Sequence, residues 1–359
     1  MAVLAIVTSS PEVGNSWEIT QGARNLVEGG HLVVARSLVQ AAREAGHDAH
    51  LVVTPDYGFG RLRASYWANW RANVTTIEGQ RIDQVISLRY PSFAVRHGAH
   101  VCWLNHTMRE YYDLWPRFVA SISWRNQIKE SIRRAILHGT DRWLLKSRVT
   151  RVVAQSATIQ SRLVRDFNLH TDVLHPPAPP RRYRCDRYDN YIFAVSRLTP
   201  LKRVDLLIRA LAEPPAGRVR AVVAGEGESR SDLEALAKTL GVADRIEFLG
   251  ATNEATLIDH LSRCRAVAFT PIAEDYGLVA AEAFASRKAV VTCSDSGGPT
   301  ELVRDGETGL VTESTPRALA GALERLSGDV SLAERLGANA AAVSSTMSWA
   351  TTVSRLLIV

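Results

Sequence analysis

No stretch of this chain approaches the roughly 20 apolar residues that a membrane-spanning helix needs, so the sequence gives no integral membrane segment. Cysteine is sparse: Cys102, Cys185, Cys264 and Cys293 are scattered without a CxxC or any metal-type spacing. That argues against a disulfide framework and a structural zinc site, and for reduced thiols in a cytoplasmic protein. There is no Asp-x-Asp pair to hold a diphosphate through a metal, and no His/Cys/Asp cluster with ligand spacing, so no metal is expected. Gly225-Glu226-Gly227 lacks the third glycine of a dinucleotide fingerprint. A repeat of fixed period is also missing.

What is present is a strand-then-helix alternation over 359 residues, enough for two domains, with 46% hydrophobic and 22% charged residues. The opening residues 2–7 are short and lack a basic flank, so they read as a buried strand and not as a signal peptide. Strand patterns fall at 4–8, 49–54, 84–88, 101–104, 152–155 and 172–174, with amphipathic helices at 32–45 and 157–167. Strands at 192–195, 220–224, 246–249, 266–269 and 289–292 then alternate with helices at 204–211, 232–240, 255–263 and 278–285. Such alternation predicts α/β domains with parallel sheets covered on both faces. Pro176, Pro177, Pro179 and Pro180 interrupt it, since proline continues neither a helix nor a central strand. The expected division is a domain at 1–175, a Pro/Arg-rich linker at 176–185 and a domain at 186–345. Ligands of such sheets collect beyond the carboxyl ends of the strands.

Chemistry is concentrated in the second half. Glu274 falls in a strand-to-helix loop, and Glu282 falls about two turns inside the next helix, among Ala280, Ala281, Ala283 and Phe284. An unpaired carboxylate is costly there, so Glu282 needs a partner, and a ribose hydroxyl pair suits it. Between the two, just past Tyr276, the first N–H groups of the helix offer a phosphate cradle. The loop 196–203 carries Arg197, Lys202 and Arg203 directly after a strand, which fits either a diphosphate grip or a solvated turn. Gly225, Glu226 and Gly227 suggest a tight turn close to a nucleoside. Gly297-Gly298 marks a turn that approaches a ligand or is only a turn. In the first half, Val27-Glu28-Gly29-Gly30-His31 enters a helix, placing Gly30 at a second phosphate-approach position. His106 follows a strand, where a sheet presents reactive groups, although a lone histidine is usually structural.

Together these pieces resemble the retaining glycosyltransferases of family four, from Gly29-Gly30 to Trp349. The likeness is strongest over 191–311, where Arg197/Lys202, Gly225-Glu226-Gly227, Phe248-Leu249-Gly250, Glu274/Glu282 and Gly297-Gly298-Pro299-x-Glu301 occur in order. The resemblance implies the GT-B architecture, two Rossmann-like domains with parallel sheets facing across a cleft, and a closing helix at about 346–359 that packs back on the first domain. It implies transfer of a hexose-type sugar from a nucleoside diphosphate to an acceptor hydroxyl, with the nucleotide sugar as co-substrate and no resident cofactor. By the same resemblance, Arg197 and Lys202 grip the diphosphate, Glu274 holds donor-sugar hydroxyls and Glu282 holds the ribose. Gly277 and Leu278 lend N–H groups to phosphate, His106 stands beside the donor sugar, and Gly30 lies near the diphosphate or acceptor. The acceptor is expected to be a carbohydrate, a glycolipid or a small molecule. The segment 57–74 matches no part of the family pattern.

The net charge of +6 has a local source. Residues 124–151 carry eight cations (Arg125, Lys129, Arg133, Arg134, Arg142, Lys146, Arg148, Arg151) and two acids, an excess equal to that of the whole chain. Seven of the eight tryptophans precede the prolines, with Tyr66, Trp67 and Trp70 among arginines. This suits either contact with anionic lipid at the inner face of a membrane or a solvated helix surface over ordinary core packing. Rival functions are a sugar-nucleotide 2-epimerase of the same shape and a nicotinamide oxidoreductase. Nucleic-acid binding explains the basic stretch but not the acidic pair.

Overall fold

The computed structural model describes residues 1–10 and 29–358, so Val27 and Glu28 of the first glycine segment lie outside the described residues. The chain divides into two compact units, Met1–Pro176 with Ser348–Val359, and Pro177–Met347. Residues 177–185, expected as a linker, thus belong to the second unit; Arg181 and Tyr183 are anchored there by side-chain bonds to Glu282.

The first unit runs β1 (Val3–Ser10), α1 (Gly30–Glu44), β2 (Asp48–Pro55), α2 (Leu62–Arg71), the hairpin β3 (Thr76–Ile77) and β4 (Gln80–Arg81), β5 (Gln84–Ser87) and β6 (His100–Leu104). It continues with α3 (Trp115–Ala120), α4 (Trp124–Ser147), β7 (Arg151–Ala154), α5 (Ala157–Phe167) and β8 (Asp172–Val173). Its six-stranded sheet has the order β2-β1-β5-β6-β7-β8, and every pairing is parallel. A continuous apolar strand such as Val3–Val7 suits such a sheet because both of its faces are covered. The order reverses between β1 and β5.

The second unit runs β9 (Ile192–Val195), α6 (Val204–Ala212), β10 (Ala221–Ala224), α7 (Arg230–Thr239), β11 (Ile246–Gly250), α8 (Glu254–Arg263) and β12 (Ala266–Ala268). There follow α9 (Leu278–Ala285), β13 (Val290–Cys293), α10 (Pro299–Leu302), β14 (Gly309–Thr312), α11 (Pro316–Gly328) and α12 (Val330–Ser345). The parallel sheet β11-β10-β9-β12-β13-β14 reverses between β9 and β12. Such a switch point opens a crevice at the carboxyl ends of the two strands.

The last helix, α13 (Trp349–Leu356), is part of the first unit. Buried Gln84 donates to Leu356 O at 2.8 Å and accepts from Ile358 N at 2.9 Å, and the Trp349 ring meets Trp103 edge-on. No helix among the described residues is long and apolar enough to cross a membrane.

Helices α2 and α3 are absent from the sequence expectation, and α4 enters it only as a solvated helix surface, one of two readings of the basic stretch, without bounds. The reason is that α4 carries Leu137 and Leu144 on its buried side and Ile128, Ile132 and Ile136 on its exposed side. Apolar residues on both sides erase the helical period. At the buried side of α4, Asp141 is fully enclosed and accepts from the hydroxyls of Tyr66 and Tyr112. Burial pushes its carboxyl up to about 7, against the two hydroxyl donors. The native carboxyl therefore keeps a proton that the unfolded chain has lost, so its contribution to stability is full below about pH 4 and fades as pH rises toward 7. Asp141→Asn should gain on the wild type by roughly 2–4 kcal/mol between about pH 4.5 and pH 8, measured by urea unfolding. A pH-independent difference contradicts burial as the dominant cause.

Candidate active site

At the switch point of the second unit, the loops leaving β9, β10, β12 and β13 are fastened to one another. Leu198 is buried, its N–H donates to Glu226 O at 2.8 Å, and its carbonyl accepts from Ser229 N at 3.0 Å. A β-carbon on Gly225 would lie 1.9 Å from Ser196 O, and one on Gly227 would lie 2.3 Å from Leu198 O. Those glycines are required by the neighbouring loop, a close approach that the reading of a tight turn near a nucleoside did not include. The Glu226 carboxylate pairs with Arg230.

The loop after β12 carries Glu274. Its N–H donates to Ser296 O at 2.7 Å, and its carbonyl accepts from Gly298 N at 2.8 Å. Gly297 is left-handed at φ 74°, with room for a β-carbon only 2.6 Å from Glu274 O. The pair Gly297-Gly298 thus exists so that two loops can touch, which fixes the backbone of Glu274. Arg203 braces the same loops from the other side. It pairs with Asp295 at 2.6 Å and donates to Thr270 O at 2.9 Å, so it is a strut and not a free cation.

Lys202 and Glu274 meet across the β9–β12 switch point. The Lys202 ammonium reaches both Glu274 carboxylate oxygens at 2.7 Å and stands 5.6 Å from the centre of the Phe269 ring. Two of its three N–H groups are used, leaving one. Arg197, on the same loop as Lys202, is exposed. Gly277 caps α9 in the left-handed region at φ 91°, and no side chain caps this helix. The N–H groups of Leu278 and Val279 are therefore open by position, and the helix dipole adds partial positive charge. Tyr276 is buried just before them.

Glu282 differs from expectation in two ways. It is the fifth residue of α9, little more than one turn in. Its partner is also internal: Arg181 binds Oε1 directly, and the Tyr183 hydroxyl donates to the same oxygen at 3.2 Å. Burial raises the carboxyl above the ordinary range, opposed by Arg181.

In the first unit, His106 follows β6 and its Nδ1 lies 3.0 Å from Thr107 O. Burial, then the nearby Arg89, holds the imidazole well below its ordinary pKa, so it is neutral at pH 7. Gly30 is the first residue of α1. The sequence reading missed Arg89, which leaves β5 at the first sheet's own switch point. Its guanidinium pairs with Asp56 at 3.2 Å, lies 3.3 Å from His31 Nε2, and donates to Ser9 O at 3.3 Å. The criterion that singled out His106, a polar residue at a strand exit, also selects Arg89.

Residues 181–343 match the family described as Glycosyl transferases group 1. The match spans a little under half of the chain. Arg197, Lys202, Glu274 and Glu282 all lie inside the segment, and His106 and Gly30 lie outside it. The D-inositol 3-phosphate glycosyltransferase of Nocardia farcinica is 34% identical over 232 residues, 58% of this chain and 51% of its own length. The chain thus spans about half the length of the curated relatives it matches. Anabaena HepE, solved with UDP and glucose, superposes with a TM-score of 0.65 at 17% identity over 99% of this chain and 98% of its own. Sucrose-phosphate synthase of Thermosynechococcus elongatus gives 0.74 at 17% identity, covering 98% of each chain. At that identity these likenesses establish the fold, GT-B with two parallel-sheet units.

Removing one partner of a buried ion pair strands the other charge. Arg181→Leu should therefore lower the stability of the second unit by roughly 3–5 kcal/mol. Combining it with Glu282→Leu should recover most of the loss in thermal unfolding; equal losses in the single and double variants contradict the pairing.

Proposed function

We propose that the protein is a retaining glycosyltransferase that moves a sugar from a nucleoside diphosphate to an acceptor hydroxyl. The observation that carries this is the Lys202–Glu274 pair at the β9–β12 switch point, within the group 1 segment, beside the uncapped start of α9. A nucleotide sugar has hydroxyls at each end and phosphates between, and the carboxylates and cations here alternate in the same sense. Glu274 accepts from sugar hydroxyls. Arg197, Lys202 and the N–H groups at Gly277 and Leu278 receive the diphosphate without a metal. Glu282 accepts from the ribose through whatever acceptor capacity Arg181 and Tyr183 leave, and Tyr276 and Gly225–Glu226 shape the floor beneath.

Breaking the bond between sugar and phosphate oxygen leaves an oxocarbenium-like sugar and places negative charge on the departing diphosphate. Groups already aimed at that charge stabilise the transition state more than the ground state, by about 3 kcal/mol for each well-placed donor. The leaving phosphate oxygen takes the acceptor proton on the same face, which retains the anomeric configuration without a protein nucleophile. Neutral His106 serves as a hydrogen-bonding group beside the sugar, and Gly30 allows close approach near the diphosphate or acceptor. The named relatives point to a polyol phosphate among acceptors and to UDP and glucose on the donor side. For this chain the acceptor class is a carbohydrate, glycolipid or small polyol. The oxidoreductase reading loses its basis, because Gly225 and Gly227 are explained by the loop that touches them.

Incubating the protein with a panel of nucleotide sugars and acceptors should release nucleoside diphosphate only when an acceptor is present; acceptor-independent release or epimerised donor favours the epimerase instead. With the active pair identified, Arg197→Ala and Lys202→Met should each lower turnover by about a hundredfold or more, Arg197→Ala with unchanged thermal stability and Lys202→Met with some loss of it, since Glu274 is left without its partner. Near-normal turnover in both removes these groups from the reaction.

A further inference from the structure

Six of the nine large apolar side chains exposed among the described residues share one face of the first unit. Trp67 comes from α2, and Trp124, Ile128, Ile132, Ile136 and Trp143 come from α4, each between 45% and 65% exposed. At about 100° per residue, the five on α4 fall on a stripe roughly 120° wide. Leu137, Asp141 and Leu144 lie on another side of the helix and face the core. The stripe is therefore surplus to the fold. It borders a groove of about 1230 Å³ between α2 and α4, with Trp70 and Trp143 packed at its end, ring centres 5.5 Å apart.

The charge around this face has one sign. Arg63, Arg71, Arg125, Lys129, Arg142 and Lys146 are all exposed on the same two helices. Helix α2 has no acidic residue, and the two acids of α4 are both buried and satisfied internally. Glu130 accepts from the Tyr111 hydroxyl and Arg133, and Asp141 accepts from Tyr66 and Tyr112. Arginines also lie over the indoles, Arg71 at 5.7 Å from the Trp67 ring, Arg125 at 5.3 Å from Trp124 and Arg148 at 5.1 Å from Trp143.

We propose that this α2–α4 face docks on an anionic lipid bilayer, with its isoleucines and tryptophans among the upper acyl chains and its cations among the headgroups. Indoles favour the boundary between hydrocarbon and headgroup, and Lys and Arg extend from an apolar stem to phosphate. A second copy of this chain is a poor occupant, because it brings like charges together with no exposed acid on these helices to offset them. A nucleic acid has no use for the isoleucine ridge. The proposal rests on this face alone and stands or falls separately from the catalytic reading.

The test is flotation of the full chain with vesicles of phosphatidylcholine, with and without phosphatidylglycerol. Binding should appear only with the anionic lipid. It should fall by about tenfold or more in Ile128→Ser/Ile132→Ser/Ile136→Ser and in Arg125→Glu/Lys129→Glu, while Lys238→Glu, on α7 of the second unit, binds as wild type. A lipid carrying brominated acyl chains should quench part of the tryptophan fluorescence of the wild-type chain, which checks insertion without any substitution. Absence of anion-dependent binding, absence of quenching, or equal binding by all variants overturns the proposal. So does light scattering that shows a dimer dispersed by the isoleucine substitutions, which assigns the face to self-association.

Discussion

A carboxylate and an ammonium held 2.7 Å apart over a sheet crossover are the contact on which the rest depends. Neither end of the Lys202–Glu274 pair is free to wander. Lys202 ends a turn, and the next residue, Arg203, is tied to Asp295 and to Thr270 O. Glu274 has its N–H and its carbonyl both bonded to the loop after β13. Polar groups fixed in advance cost little reorganisation when charge develops near them, which is the condition for electrostatic catalysis. The glycines at 225, 227, 297 and 298 are the means to that end: each removes a β-carbon that would hold two loops apart.

Much of this was legible in the chain. Strand and helix residues of the second unit alternate so regularly that β9, α9 and the boundaries between them follow from the apolar runs and their breaks. The association of Lys202 with Glu274 was readable only as two separate strand exits, since the order of strands in a sheet is a tertiary property. Glu282 shows the opposite case. Its apolar neighbours demanded a partner, and the sequence offered a ligand; the partner is Arg181, from a segment that looked like a spacer because prolines dominate it. Arg89 was overlooked although it satisfies the same strand-exit criterion as His106. Helix α4 was readable only as one of two alternatives for the basic stretch, because its exposed isoleucines imitate a core face.

That last failure has physical content. A helix whose apolar residues exceed what its core can bury carries information about a second environment. The basic excess of the whole chain is concentrated on the same segment, and the acids that could neutralise it are withdrawn into hydrogen bonds with tyrosines. The Lys202–Glu274 pair thus belongs to the second unit, and the surplus apolar and cationic surface to the first.

The central claim is that Lys202 serves phosphate while Glu274 serves the sugar, and calorimetric titration separates the two. Free nucleoside diphosphate should bind Lys202→Met about tenfold or more weakly than wild type, and Glu274→Gln with undiminished affinity. The intact nucleotide sugar should bind both variants more weakly. Wild-type affinity of Lys202→Met for the free diphosphate contradicts the assignment, as does an equal loss of that ligand in both variants.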